Sequence, residues 1–231
     1  ILQGIDAAGK DGTIKHVMSG VNPTGCQVCS FKQPSSEELD HDYLWRCARV
    51  LPARGMIGIF NRSYYEHVIA DRLHPEKLEN QNLPKALTGK NIWQNRCRHI
   101  NNFEEYLLDN GIHTLKFFLN LSKKRQRDKL LERIERTDKR WKFSPDDLDD
   151  RRLWDEYLKI YDDVFRNTST PRSRWHVVPD DDRWFARALV AKIIAEKLKS
   201  LHARYPALSE RRKKEIESAR KTLLAEAKKE N

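Results

Sequence analysis

Gly4-Ile5-Asp6-Ala7-Ala8-Gly9-Lys10-Asp11-Gly12 is entered from the apolar pair Ile1-Leu2 and leads into a helical stretch at residues 13–18; its spacing is G-x-x-x-x-G-K. No other feature constrains the fold as strongly, because such a segment needs a strand ahead of it, a tight turn, and a helix opening on the ligand. Glycines let backbone N–H groups turn inward on phosphate oxygens, and the helix N-terminus adds positive potential. Gly4, Ala7, Ala8, Gly9, Asp11 and Gly12 are read as the cradle, and Lys10 as the point charge bridging the outer phosphates. Asp11 stands where the common pattern has the Ser or Thr that meets magnesium. On spacing alone, a glycine-rich surface turn remains the alternative.

A second strand supports the first. Gly55 to Phe60 is a short apolar run of the kind buried in a parallel sheet, and it ends in Asn61-Arg62-Ser63-Tyr64-Tyr65-Glu66. Polar residues at a strand's C-terminal end are where open α/β sheets place their chemistry. Further strands are expected at residues 1–3, 27–31, 115–119 and 175–178. Helices are expected at 37–50, 64–73, 93–109 and 182–201, with a connecting loop at 75–91. Alternation of strand and helix implies a parallel sheet with right-handed crossovers.

Residues 123–165 break that alternation. They read as two helices, 123–136 and 146–165, around a turn at 141–145. Ten of the twenty residues from Lys123 to Lys142 are Lys or Arg, against four acids. Helical pairing with Asp128, Glu132 and Glu135 accounts for part of this charge. The excess marks a basic hairpin inserted between the last two strands, which is read as a lid that closes on phosphates and excludes water.

The chain has 231 residues and a formal net charge of +10. Its size suits one α/β domain with an inserted lid, spanning residues 1–201 with the lid at about 123–165. Residues 202–231 form a basic helical tail in which Ile216, Leu223 and Leu224 recur at helical spacing. The tail is expected to pack on the core or on another subunit. No apolar run approaches the length of a membrane span. The chain begins without Met inside an expected strand, so residues are expected upstream. Cys26 and Cys29 lack the second ligand pair of a zinc site, and with Cys47 and Cys97 they are read as reduced packing residues of a cytoplasmic protein.

The loop, the strand-end segment and several other runs together resemble the polyphosphate kinase 2 family. Those runs are Gly20-Val21-Asn22-Pro23, Ser30 to Pro34, His41 to Arg46, Leu51 to Gly55, Arg140 to Pro145, Thr168-Ser169-Thr170 and Trp175 to Val178. The resemblance covers residues 1 to about 201. It implies a P-loop kinase-like three-layer sandwich with a parallel five-stranded sheet and a helical lid. It also implies transfer of the terminal phosphoryl of inorganic polyphosphate to AMP, ADP or both, reversibly and with Mg2+, Mn2+ being an alternative ion. Asn61 with Glu66 looks like the subgroup that accepts nucleoside mono- and diphosphates. Adenine nucleotides are the expected acceptors, with other purine nucleotides as an alternative, and the assembly is expected to be a homo-oligomer. An ATP-dependent nucleoside monophosphate kinase is the second reading. A nucleic-acid-binding protein is the third, and the phosphate loop argues against it.

Phosphoryl transfer needs positioning and charge neutralisation more than covalent chemistry. Asp6 is read as a magnesium or water-shell ligand, or else as a backbone cap. Asp11 is either a helix cap or part of the metal shell. Asn61 can accept from metal-bound water without adding charge. Arg62 either reaches the transferring phosphoryl or pairs with Glu66 one turn on, and Glu66 otherwise faces the acceptor side. Lys15, Lys32 and Lys142 are further phosphate contacts, and Arg127 and Arg133 are the favoured lid arginines, with Arg125 a third candidate.

Overall fold

The computed structural model describes residues 1–205 and 207–228; Pro206 and residues 229–231 of the expected tail lie outside the described residues. Two compact units are present, Ile1–Ile194 and Ala195–Asn231. The first holds a sheet of five parallel strands: β1 (Leu2–Gln3), β2 (Cys26–Ser30), β3 (Ile57–Asn61), β4 (Lys116–Asn120) and β5 (Trp175–Pro179), in the order β2-β3-β1-β4-β5. Central β1 pairs Leu2 with Asn61 on one side and with Phe117 on the other. The apolar run of β4 is buried along Lys116 to Leu119, as befits a strand covered on both faces.

Helices cover each face. α1 (Lys10–Val17) and the first part of α10 (Arg183–Ser200) bring Ile14, Val17, Ala186 and Val190 against Leu2, Ile59, Phe117, Leu119 and Val178. On the opposite face lie α4 (Glu66–Leu73), α6 (Ile92–Asp109) and α9 (Trp154–Thr168). Their Val68, Ile69, Ile100, Tyr161 and Val164 pack on Ile5, Phe60, Phe118 and Trp175. This is the expected three-layer sandwich. Cys26 packs in the first cluster and Cys29 in the second, because three positions along β2 put them on opposite faces.

One charge is buried deep in this frame. Lys116 is fully buried and gives its three ammonium protons to Glu104 Oε2 at 2.7 Å, the Thr168 carbonyl at 2.7 Å and Tyr65 Oη at 3.1 Å. Glu104 also accepts from Tyr64 and Tyr65. The network fixes the two tyrosines that follow Arg62, so the start of α4 has one position.

Several expected bounds shift. The phosphate-loop helix starts at Lys10 rather than at residue 13, so Lys10 and Asp11 form its first turn. The helix expected over residues 37–50 is two short ones, α2 (Ser36–Leu39) and α3 (Trp45–Ala48). Ser35 and Glu38 form a capping box that starts α2, and Asp42 Oδ1 accepts from the Leu44 N–H at 2.9 Å, a local turn that competes with helix. The loop at 75–91 contains α5 (Pro75–Glu79), with proline at its first position. Between β4 and β5 lie α7 (Lys123–Glu135), a 3₁₀ turn at Arg140–Lys142, α8 (Asp146–Arg152) and α9. The expected second helix divides at Leu153, whose N–H reaches Asp150 in a tight turn before α9 begins.

The second unit contains the end of α10 and α11 (Glu210–Ala227), which Ser209 caps through the Arg212 N–H. Ile216, Leu223 and Leu224 of α11 are exposed. No helix among the described residues is long and apolar enough to cross a membrane.

Candidate active site

All five strands point their C-terminal ends at one cleft, as open parallel sheets do. The cavity is about 640 Å³ and is lined by the phosphate loop from Asp6, by Ser30 to Lys32 at the end of β2, by Asn61 and Arg62 at the end of β3, and by Asp180 just after β5. Side chains of α7, α8 and α10 and of the 3₁₀ turn complete it. Its lining carries ten Lys or Arg and five Asp or Glu.

The loop closes on itself. Ala8 N–H donates to the Ile5 carbonyl at 3.0 Å, with Ala7 at φ 64° and Gly9 at φ 82°. Gly9 is needed there because L side chains rarely adopt that backbone conformation. Lys10 is buried, and its ammonium donates to the Gly4 carbonyl at 2.7 Å and the Ile5 carbonyl at 3.4 Å. Burial first and Arg62 second lower its pKa to about 8, a shift that Asp6, Glu66 and Asp11 partly offset.

Asp6 is the most connected carboxylate. It pairs with Arg62 Nη2 and shares a hydrogen bond with the Asp150 carboxyl of α8. Burial alone raises its pKa, but Arg62 and Lys10 outweigh it and hold Asp6 below the usual carboxylate range. Burial and the contact with Asp6 push Asp150 the other way, while His74 Nε2 lies 2.8 Å from its Oδ1. Arg62 has φ 64°, unusual for a residue with a side chain. Its Nη1 donates to Glu66 Oε2 at 2.9 Å, and this pair is the main reason its proton is held more tightly than usual. Arg62 thus makes the expected pair with Glu66 and also lines the cleft.

At the rim, Asn61 Nδ2 donates to Asp11 Oδ1 at 2.7 Å, and Lys142 Nζ lies 3.7 Å from Asp11 Oδ2. On the hairpin side Arg133 pairs with Asp147 at 2.7 Å and Lys129 with Asp180 at 2.9 Å. Arg125 lines the cleft, and its Nε is buried with no hydrogen-bond partner among the described residues.

Asp6, Ala7, Ala8, Gly9, Lys10, Asp11, Gly12, Lys32, Asn61, Arg62, Arg133 and Lys142 are brought together as expected. Four expected residues are not in the lining. Arg127 is over half exposed and pairs with neighbouring Asp128. A helix turns about 100° per residue, so six positions carry Arg127 about 120° round from Arg133. Arg125, Lys129 and Arg133, four apart, form the row that faces the cleft. Lys15 lies on the exposed side of α1. Gly4 offers its carbonyl to Lys10, and Glu66 meets the site through its pair with Arg62. Lys129, Asp147, Asp150, Asp180, Arg183 and Arg187 were not singled out from the sequence. The i, i+4 spacing from Arg125 to Arg133 was a usable signal for Lys129, but nothing local marks the other five.

Magnesium takes hard oxygen donors, often one or two carboxylates completed by phosphates and water. Asp6 and Asp11 in the loop supply that donor type beside phosphate-binding groups, so the residues fit the ion. Among the described residues no cluster of three or more His, Cys, Asp or Glu is placed to hold it by protein ligands alone.

The family model Polyphosphate kinase 2 (PPK2) matches residues 1–206. Over 225 residues the chain is 49% identical to an ADP-polyphosphate phosphotransferase of Rhodopseudomonas palustris, covering 97% of this chain and 78% of that protein. Over 206 residues it is 46% identical to an AMP/ADP-polyphosphate phosphotransferase of Meiothermus ruber, covering 89% and 73%. The crystal structure of Polyphosphate Kinase 2 from Arthrobacter aurescens TC1 superposes with a TM-score of 0.84 at 35% identity, covering 97% of this chain and 74% of that one. The family match spans the phosphate loop, the strand ends and the hairpin, and the chain belongs to the polyphosphate kinase 2 family.

Proposed function

We propose that this protein transfers the terminal phosphoryl group of inorganic polyphosphate to AMP or ADP. The observation that carries the reading is the cation row Arg125, Lys129 and Arg133 facing the phosphate loop across one cleft. A linear polyanion matches a row of charges that continues beyond the loop, whereas a single nucleotide leaves the outer cations unmatched. The names of the two relatives support nucleoside phosphates as the acceptors.

In this reading Lys10 and the loop amides hold the phosphate next to the transferring group. Arg62, braced by Asp6 and Glu66, neutralises charge that develops on the phosphoryl oxygens. Arg125, with its unpartnered Nε, Lys129 and Arg133 hold the polymer, and Lys32, Lys142, Arg183 and Arg187 complete the electrostatic wall. The hairpin of residues 123–165 acts as a lid that shuts water out of the cleft. Magnesium, when bound through Asp6 and Asp11, supplies further neutralisation of phosphate oxygens. No protein nucleophile is required, so the transfer reverses with the ratio of the two phosphorylated pools. The four free thiols suit a reducing cytoplasm.

The test is incubation of the purified protein with polyphosphate, Mg2+ and AMP, followed by separation of the nucleotides. ADP and ATP should form without any nucleoside triphosphate donor. Phosphorylation that requires ATP and ignores polyphosphate overturns the reading.

A further inference from the structure

Six of the 13 residues of α7 are Lys or Arg, yet Gln126 in its first turns is fully buried. Its two ends are both engaged. Nε2 donates to the Asp6 carbonyl of the phosphate loop at 3.0 Å, and Oε1 accepts from Arg151 Nη1 of α8 at 3.0 Å. The same Arg151 nitrogen donates to the Lys123 carbonyl at 2.7 Å, at the start of α7. A carbonyl only accepts and a guanidinium only donates, so the amide has one workable orientation and is satisfied in it. Gln126 therefore joins three elements: the loop, α7 and α8.

Its position on the helix matters as much as its bonds. Arg125, Lys129 and Arg133 follow one face of α7, and Gln126 lies beside that face. A helix with a basic exposed surface has few apolar contacts to fix its rotation; in α7 only Leu130 and Gln126 are buried. We infer that Gln126 is a positioning residue for polyphosphate: the hydrogen bond that its side-chain amide donates to the Asp6 carbonyl sets the rotation of α7, so that the Arg125–Lys129–Arg133 row faces the phosphate loop. The inference rests on the proposed polyphosphate reading of the cleft. It is distinct from it, because Gln126 is buried outside the cleft lining and carries no charge. Removing the pin lets α7 turn or lift, which moves the row off the polymer while leaving Lys10 and Arg62 in place.

The test compares Gln126→Met, of similar volume without donor or acceptor, with Arg151→Met, which removes only the α8 arm. Steady-state kinetics with polyphosphate and AMP are read beside calorimetric binding of tripolyphosphate, which needs no turnover. In Gln126→Met the polyphosphate KM should rise about tenfold with kcat and the AMP KM within about twofold, the pattern of lost binding rather than lost chemistry. Tripolyphosphate should bind more weakly by a similar factor and with a shallower salt dependence. Arg151→Met should show the same signs at smaller size, and it carries the test if Gln126→Met fails to fold. Unchanged tripolyphosphate affinity in a folded Gln126→Met protein overturns the inference. So does a fall in kcat at constant polyphosphate KM, which assigns Gln126 to the loop instead. If the unaltered protein binds tripolyphosphate but does not phosphorylate AMP from polyphosphate, the functional reading fails while the binding comparison still decides the role of Gln126.

Discussion

Asn61 donates to Asp11 at 2.7 Å and so ties the end of β3 to the first turn of α1. An amide makes this bond; a carboxylate at the same place faces Asp11 as a like charge and is relieved only by a proton or a cation. Asn61→Asp should therefore melt lower than the unaltered protein in EDTA, by about 2–4 °C for about 1 kcal/mol of repulsion. Millimolar Mg2+ should restore most of the difference. Differential scanning calorimetry with and without the ion decides it: an equal deficit in both conditions means that no cation is drawn to this rim.

Lys10 gives a prediction with a sign in pH. Its ammonium has a pKa lowered to about 8, and a phosphate polyanion binds the protonated form. Above pH 8 the free protein has lost much of that charge and must take up a proton to bind. The polyphosphate KM should accordingly rise between pH 7 and pH 9, and Lys10→Arg, which keeps its charge, should flatten the rise. Lys10→Ala and Asp6→Asn should each lower turnover at least about a hundredfold, near the ~3 kcal/mol typical of one lost preorganised contact. Near-normal turnover in Lys10→Ala removes the phosphate-loop assignment.

The local and the assembled parts of this site were unequally legible. The loop, the strand ends and the basic hairpin are contiguous runs, so type and order along the chain located them, and the five-stranded sheet followed from their alternation. What a contiguous run does not contain is the angle at which a helix is held. Arg127 and Arg133 read as partly sharing a face at i, i+6, but six steps of about 100° put them about 120° apart. Asp147, Asp180 and Arg187 reach the cleft only because α8, β5 and α10 return to it, and a long-range return leaves no mark in local spacing. Where residues 37–50 break into two helices, the Leu44 N–H donates to the Asp42 side chain, a local turn that competes with helix.

The corrected hairpin face can be tested by its salt dependence. Arg125→Ala with Arg133→Ala should raise the polyphosphate KM and flatten its rise with salt, since two screened contacts to a polyanion are gone. Arg127→Ala, whose partner is Asp128 on the exposed side, should change neither. Equal effects from Arg127→Ala and from the pair place the polymer over the outer face of α7 rather than in the cleft.

Acceptor choice should run through Glu66, although Glu66 does not line the cleft. The Arg62 guanidinium is held at two edges, by Asp6 and by Glu66, and Glu66 makes the stronger pull on its charge. Glu66→Asn removes that pull and leaves the guanidinium free to turn about the Asp6 contact. ADP brings two phosphates to the cleft, and the second helps to hold the acceptor when Arg62 shifts. AMP brings one, so it depends more on a fixed Arg62. We expect Glu66→Asn to lower kcat/KM for AMP more than for ADP, with polyphosphate in excess. Each acceptor is measured separately, and the ratio of the two is the readout. A ratio that stays within about twofold, ~0.4 kcal/mol of transition-state discrimination, sinks the idea. The tolerance for two acceptor lengths then has to lie in the hairpin or in the fixed tyrosines Tyr64 and Tyr65.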